Sequence, residues 1–317
     1  MKVAAAPAAL KRESFDTSST EEWLKLRTQD ITSTESAALF GLSPYLTPFE
    51  LWHRKKAGNI VEHEPNERMK WGTRLQDSIA AGIAEDQKWT VKRRAQYERL
   101  PEQRLGSSFD FTIVGGEEGD GILEIKNVDP LAVRDGWIVQ DEDIEAPPHI
   151  EMQVQHQLLV SGKRYAYIGA LVGGNRTMLI RRTPVAGIIQ DIVTKAEAFW
   201  RSIEEGNPPA PNFSRDSEFI TKLYQSVRPG KVVDVSKDLE ILHWVEQYQA
   251  ASAARDAAEA TRQEMKARIF TKLGDAEKAT ADGFSLTLGL VKATRVEAFD
   301  RAAYRNFRVN VSKKSSK

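Results

Sequence analysis

The stretch Gly121-Ile122-Leu123-Glu124-Ile125-Lys126 constrains the fold more than any other part of this chain. Side chains alternate along a strand, so Ile122, Glu124 and Lys126 share one face while Leu123 and Ile125 share the other. Apolar residues on both faces predict a strand covered on both sides, hence a sheet flanked by helices. A Glu–Lys pair on the wet face of a strand is ordinary surface. Inside a covered strand it calls for a chemical reason, because buried charge is expensive unless compensated.

The flanking periodicity fits a mixed α/β domain. Helix starts are expected at Thr20, at Thr32 with Glu35 in capping-box spacing, and at Thr47 with Pro48 and Glu50. Gly41 and Gly58 are expected to close the second and third of these helices. A fourth helix begins near Asn66, and the spacing of Trp71, Leu75, Ile79 and Ile83 predicts a buried stripe. Residues 89–94, 108–113 and 121–126 then read as strands, the last two joined by the Gly- and acid-rich turn of 115–121. A helix closed by Gly162 follows, then strands over 164–172 and 176–182, and a helix from Pro184 to about Gly206. The Pro-rich segment 207–217 marks the end of this domain.

Three regions are therefore expected: a loose tail over 1–19, a catalytic-type α/β domain over 20–213, and an extension over 214–317. The extension holds a long helix over about 236–273, with Leu242, Val245, Tyr248, Met265, Ile269 and Phe270 on its apolar side, a turn at Asp282-Gly283 and a strand-like run over 284–291. The last 28 residues carry eight Lys or Arg against Glu297 and Asp300, a basic tail suited to DNA contact.

Composition removes several function classes. The chain has no Cys, which excludes disulfides, thiolate zinc sites, Cys nucleophiles and iron–sulfur clusters. Its 5 His show no HExxH spacing, so any metal is a hard ion held by oxygen. The 45 basic residues balance the 45 acidic ones, which argues against a uniformly basic coat but leaves local patches open. No apolar run reaches the 18 residues of a membrane span. The Ala-rich start lacks a continuous apolar core and reads as a tail, not a secretion signal.

Asp110 precedes the Gly-rich turn, which can bring its carboxylate beside Glu124. These two carboxylates and the Ile125 carbonyl make a hard-oxygen set suited to Mg²⁺, with Mn²⁺ able to substitute. Lys126, on the same face as Glu124, can orient an attacking water and balance charge. Together they suit metal-assisted hydrolysis of a phosphodiester.

Six motifs in order now carry a resemblance. They are R-x-x-x-I-T-x-T from Arg27 to Thr34, SPYLTPFELWHRKKAG, MKWGTRLQ, SSFDF, LEIK and EMQVQHQLLVSG. Over residues 20–213 the chain resembles the YqaJ-type viral recombinase family, a branch of the restriction-endonuclease-like nucleases that includes lambda exonuclease. The resemblance implies a central mixed sheet flanked by helices. It places Asp110, Glu124 and the Ile125 carbonyl at the metal, Lys126 at the attacking water and Gln153 at the catalytic centre. Arg27, Thr34 and Ser108 fall where relatives hold the DNA 5′-phosphate. It further implies 5′-to-3′ digestion of double-stranded DNA ends, a ring of three subunits, a single-strand annealing partner and the cytoplasm of a bacterial host of phage or prophage.

Gln76 departs from the family, standing where an acid is usual; a neutral amide cannot supply the same charge to a second metal. Trp137, in the loop after the catalytic strand, is a candidate contact to a DNA end, whereas Trp23, Trp52, Trp71 and Trp200 read as core. His149 and His156 are assigned to no metal. Two rivals stay open: an endonuclease of the same fold, and a DNA-binding or assembly protein whose nuclease site has decayed.

Overall fold

A computed structural model describes residues 10–17, 19–58, 66–140, 143–294, 305, 307 and 309. The chain divides into two units, Met1–Ile220 and Thr221–Lys317. The first unit opens with β1 (Glu13–Asp16), α1 (Thr20–Gln29), β2 (Ile31–Thr32), α2 (Ser36–Leu39), α3 (Pro48–Ala57) and α4 (Glu67–Gln87). It continues with β3 (Thr90–Arg93), β4 (Gln96–Leu100), β5 (Leu105–Ser108), β6 (Phe111–Gly116), β7 (Gly119–Val128), α5 (Pro130–Gly136), β8 (Ile138–Gln140) and β9 (Asp143–Glu145). Then come α6 (Pro148–Ser161), β10 (Ala166–Val172), β11 (Arg176–Arg182) and α7 (Ala186–Glu205). Helix α8 (Phe213–Leu223) runs across the boundary, and α9 (Leu239–Leu273), β12 (Lys278–Ala281) and β13 (Phe284–Thr287) belong to the second unit.

The helix ends follow local chemistry. Thr47 accepts from Glu50 N, Pro48 occupies the first turn of α3, and Gly58 closes it at φ 61°. Asn66 accepts from Met69 N and starts α4. At Thr32 only half of the expected box forms as a cap. Glu35 Oε2 accepts from Thr32 N at 2.9 Å, but Ile31–Thr32 pair as a strand and the helix begins at Ser36.

The central sheet has strand order β11-β10-β7-β6-β3. It is mixed: β7 and β10 are parallel, joined by a crossover that includes α6, and the other pairs are antiparallel. Both faces are covered, as the apolar pattern of β7 predicts. Leu123 and Ile125 join Ile79, Ala80 and Ile83 of α4 in one core cluster. Ile122 joins Val154 and Leu158 of α6 in the other. Helix α4 lies so close to β10 that a Cβ on Gly169 would stand 2.4 Å from Ile83 Cδ1. The expected mixed α/β architecture is thus the observed one.

A second sheet, of order β1-β4-β5-β2, is absent from the sequence expectations. It corrects the reading of 1–19 as a loose tail, since Glu13–Asp16 pair with Gln96–Arg99. Arg12 Nε also donates to Val160 O at 2.9 Å. The stripe on α4 needs correction as well. Ile79 and Ile83 are buried, but Trp71 is 50% exposed, so the helix leaves its core over its first turns. The domain end moves from 213 to Ile220 because α8 is tied back. Asp216 is fully buried, accepting from Thr47 Oγ1 and from Asn212 N, and Arg215 Nη2 donates to Ser43 O at 2.6 Å.

In the second unit α9 spans 35 residues, about 52 Å at 1.5 Å per residue. None of its residues is buried, and its surface is laced by pairs such as Glu259–Arg262 and Glu264–Arg268. The Asp282-Gly283 turn joins β12 to β13, with pairing that ends at Thr287 and not at 291. Most of the basic tail lies outside the described residues. No helix among the described residues is long and apolar enough to cross a membrane.

Candidate active site

Asp110 does not sit on a strand as expected; it sits in a bend between two sheets. The chain passes from one sheet to the other at Phe109–Asp110 and, on the neighbouring run, at Arg94–Ala95. Arg94 N donates to Asp110 O at 3.1 Å and ties the two crossings together. Because β6 begins only at Phe111, its ladder with β7 stops at the Phe111–Leu123 pair. Ile125 N would otherwise face no strand, and instead donates to Asp110 Oδ2 at 2.9 Å. The N–H and C=O of one strand residue point to the same edge. The Ile125 carbonyl therefore faces the side of β7 on which Asp110 lies. Gln76 of α4 donates to the other oxygen, Asp110 Oδ1, at 3.0 Å.

Glu124 is held from the opposite face of β7. Its Oε1 accepts from Lys126 Nζ at 2.7 Å and from Gln153 Nε2 at 2.6 Å, and its Oε2 accepts from Gln157 Nε2 at 2.7 Å. Lys126 Nζ also donates to Gln153 Oε1 at 2.9 Å, closing a ring of three side chains. Gln153 and Gln157 are four apart on α6 and so share a face. Gln155, two residues from each, points elsewhere: it donates to Thr183 O and accepts from Val185 N. Gln157 was missed as a site residue; the i, i+4 spacing from Gln153 was the signal that could have found it.

The electrostatics are those of a crowded anionic pair. Burial, reinforced by the Glu124 charge, pushes the Asp110 carboxyl up to about 7, against the opposing pull of Ile125 N–H and Lys126. For Lys126, burial disfavours the charge, but Glu124 beside it outweighs burial and holds the ammonium above its usual range. Lys126 is therefore a charged hydrogen-bond donor in this arrangement, not a proton acceptor.

The donor set fits one hard divalent cation. Two carboxylates present about eight lone-pair sites, of which five accept the bonds described above. Gln157 Oε1 is a further oxygen, buried without a hydrogen-bond partner among the described residues. No cluster of three or more His, Asp or Glu placed for a metal occurs among the described residues. Backbone and water oxygens would have to complete the shell, as is usual for Mg²⁺. Gln76, on Asp110, adds no charge for a second ion.

Lys126 and Gln153 open onto a cleft of about 750 Å³, which Thr34, Tyr45, Trp137 and His149 also line. Arg68 and Arg215 bring positive charge to the same cleft. Trp137 is 7% exposed and packs in the core, so it forms a wall and does not project as a wedge. Burial and the neighbouring Lys126 charge hold the His149 imidazole below its usual range. His156 is buried between Ser36 Oγ and Gly106 O, a structural position.

Of the three residues read as phosphate contacts, Arg27 and Ser108 are joined through Trp23. Its ring lies 4.8 Å from the Arg27 guanidinium, and its Nε1 donates to Ser108 Oγ at 2.9 Å. Ser108 is two residues from Asp110, which brings this group to the approach to the carboxylates. Thr34 is exposed on the cleft, reached through Thr32 Oγ1 at 3.2 Å. Buried Lys55 fixes both segments, donating to Arg27 O and Asp30 O and pairing with Glu35 at 2.7 Å. Trp23 is thus only partly buried, whereas Trp52 and Trp200 are core.

Comparisons with known proteins find several similar chains. "Uncharacterized protein YqaJ" of Bacillus subtilis (strain 168) is 27% identical over 285 residues, covering 88% of this chain and 86% of its own length. That span exceeds the first unit, so the likeness reaches into the second. Among solved structures, the alkaline exonuclease LHK-Exo from Laribacter hongkongensis is 19% identical, with a TM-score of 0.46 over 64% of this chain and 99% of its own. A phage related exonuclease from Haemophilus somnus 129PT is 10% identical, with a TM-score of 0.39 over 56% and 96% of the two chains. The model of the YqaJ-like viral recombinase domain matches residues 22–164, a span that holds Asp110, Glu124, Lys126, Gln153 and Gln157. Over those residues the chain is similar to the YqaJ-like viral recombinase domain family.

Proposed function

We propose that this chain is a Mg²⁺-dependent deoxyribonuclease that digests linear double-stranded DNA from the 5′ end and leaves 3′ single-stranded overhangs for strand annealing. The observation that carries the reading is the Lys126 ammonium, gripped between Glu124 and Gln153 beside a second carboxylate and open to a cleft. Asp110, Glu124 and the Ile125 carbonyl would hold the cation, which when bound supplies Lewis acidity at the phosphodiester. Lys126 has one N–H left beside its bonds to Glu124 and Gln153 and lines the cleft, where it would orient the attacking water and stabilise charge developing on phosphorus oxygens. Gln153 and Gln157 keep Glu124 in one rotamer, so the carboxylate does not rearrange during the reaction. Arg27, Thr34 and Ser108 would take the 5′-phosphate, with the guanidinium planar and preset against Trp23.

End dependence belongs to this proposal, as do a ring of three subunits and an annealing partner that receives the 3′ strand. The test is a time course on linear duplex with Mg²⁺, with the 5′ and 3′ ends labelled separately and a closed circle as control. Mononucleotides released first from the 5′ end, with the circle intact, are expected. Cutting of the circle would establish the endonuclease instead. Binding without any cleavage would establish the decayed site, the reading to which Gln76 on Asp110 lends weight.

A further inference from the structure

Helix α9 of the second unit carries a stripe that the nuclease reading leaves without a role. Its two ends are large and apolar: Trp244 and Tyr248 near the start, Met265 and Ile269 near the finish. Between them Ala251, Arg255, Ala258 and Arg262 continue the same alternating steps of four and three residues, so all eight share one face. Nothing among the described residues buries this face. Trp244 is 56% exposed, Met265 and Ile269 are exposed too, and so is Tyr248 even with the Phe307 ring centred 5.1 Å away. Met265 and Ile269 also border a groove of about 800 Å³, whose far wall includes the exposed Leu290 and Val291. The charged members of the stripe are occupied within the helix, Arg255 with Asp256 and Arg262 with Glu259. The charges at its two ends are not. Glu240 and Lys272 lie along one flank of the stripe, both exposed and in no ion pair among the described residues.

We infer that α9 is a dimerisation arm that pairs antiparallel with α9 of a second copy of this chain. In a two-fold contact residue i meets residue j and j meets i. Set about the middle of the helix, that rule places Trp244 against Ile269 and Tyr248 against Met265 at both ends. Each exposed indole then enters the apolar groove of the other copy. Midway it places Ala251 against Arg262 and Ala258 against Arg255, where a methyl leaves room for the stem of an arginine whose head is already paired. The same register brings Glu240 of each copy to Lys272 of the other. A parallel pair would instead set Glu240 level with Glu240 and Lys272 level with Lys272, like charge beside like. The contact does not depend on the nuclease reading. By itself it makes a dimer, and on a ring of three it would join two rings.

The experiment is sedimentation equilibrium of the full chain over a range of concentrations. Wild type is expected to associate in twos, as dimers or as paired rings. Trp244→Ala should raise Kd about 30-fold or more, as loss of a buried interface aromatic does. Glu240→Lys and Lys272→Glu should each raise it about 2- to 30-fold, the range for two exposed ion pairs lost per dimer. Combining the two restores opposite charges and should return Kd to within about 3-fold of wild type, a recovery that general damage to the fold would not give. A double variant that fails to recover would overturn the antiparallel register. Trp244→Ala that associates as tightly as wild type would overturn the stripe as the contact. Wild type that stays monomeric, or that stops at a ring of three, would leave the stripe to a different protein and overturn the pairing.

Discussion

The backbone N–H of Ile125 donates to Asp110 Oδ2 at 2.9 Å, so the strand that carries Glu124 also holds the carboxylate set against it. Two carboxylates are thereby kept close in a buried place, although the Glu124 charge disfavours ionisation of Asp110. Such an arrangement is poor for stability and good for binding a cation.

The first prediction follows from that opposition. Asp110→Asn keeps a side-chain oxygen for Ile125 N and removes the buried charge. Thermal or urea unfolding should show a metal-free protein at least as stable as wild type at pH 8. Cleavage of linear DNA should fall at least the ~100-fold that loss of an outer-shell partner can reach. A variant both less stable and fully active would refute the assignment of Asp110 to the metal.

Protons and cation should compete at the same carboxyl. Asp110 is raised from 3.8 to about 7, so the folded state takes up a proton there more readily than the unfolded chain. Its contribution is fully present below pH 3.8 and is lost as pH rises through about 7. A bound cation reverses that loss. The Mg²⁺-induced rise in Tm should therefore grow between pH 5.5 and about 7 and level off above. A Tm shift indifferent to pH would count against a cation on Asp110.

The three glutamines of α6 should separate cleanly. Gln153→Ala and Gln157→Ala should each lower kcat roughly 10- to 100-fold through loss of the groups that fix Glu124 and Lys126. Gln155→Ala breaks two hydrogen bonds where β11 gives way to α7, and should lower stability by about 1–3 kcal/mol while sparing the reaction. Steady-state kinetics beside urea unfolding of all three variants checks the division.

His156 gives a stability contribution of the opposite sign to Asp110. Burial drives its imidazole down to about 4, so it stays neutral when the unfolded chain has already bound a proton. Stability is full above pH 6.5 and lost as pH falls toward 4, about 3 kcal/mol in all at 1.36 kcal/mol per unit. Unfolding free energies of His156→Gln should lack this loss between pH 7 and 4. An unchanged slope would show that another group sets it.

Much of this was readable in the chain. The two-residue spacing of Glu124 and Lys126 and the apolar Ile122, Leu123 and Ile125 foretold a covered strand bearing a paired charge. Thr47-Pro48 and Gly58 marked both ends of α3. What was not readable was long-range. Asp110 owes its position to a passage between two sheets, and one of those sheets contains β2, only two residues long. Strand β5 reads Leu-Gly-Ser-Ser, with no alternation to announce it. Its Gly106 is needed because a Cβ there would meet Tyr97 Oη at 2.0 Å, a contact set by a different strand. Trp71 looked like core because its spacing matched Ile79 and Ile83, but nothing covers the start of α4 deeply enough to bury it.

The central claim is that Lys126, between Glu124 and Gln153, serves hydrolysis by two carboxylates and one cation. The most direct measurement is single-turnover release of mononucleotides from a linear duplex, with and without Mg²⁺, by wild type and Lys126→Ala at equal DNA occupancy. Release by wild type that needs Mg²⁺, and a roughly 10²–10³-fold slower rate for Lys126→Ala with DNA affinity retained, is the predicted result. Equal rates for the two proteins, or release that persists without a divalent cation, would contradict the account.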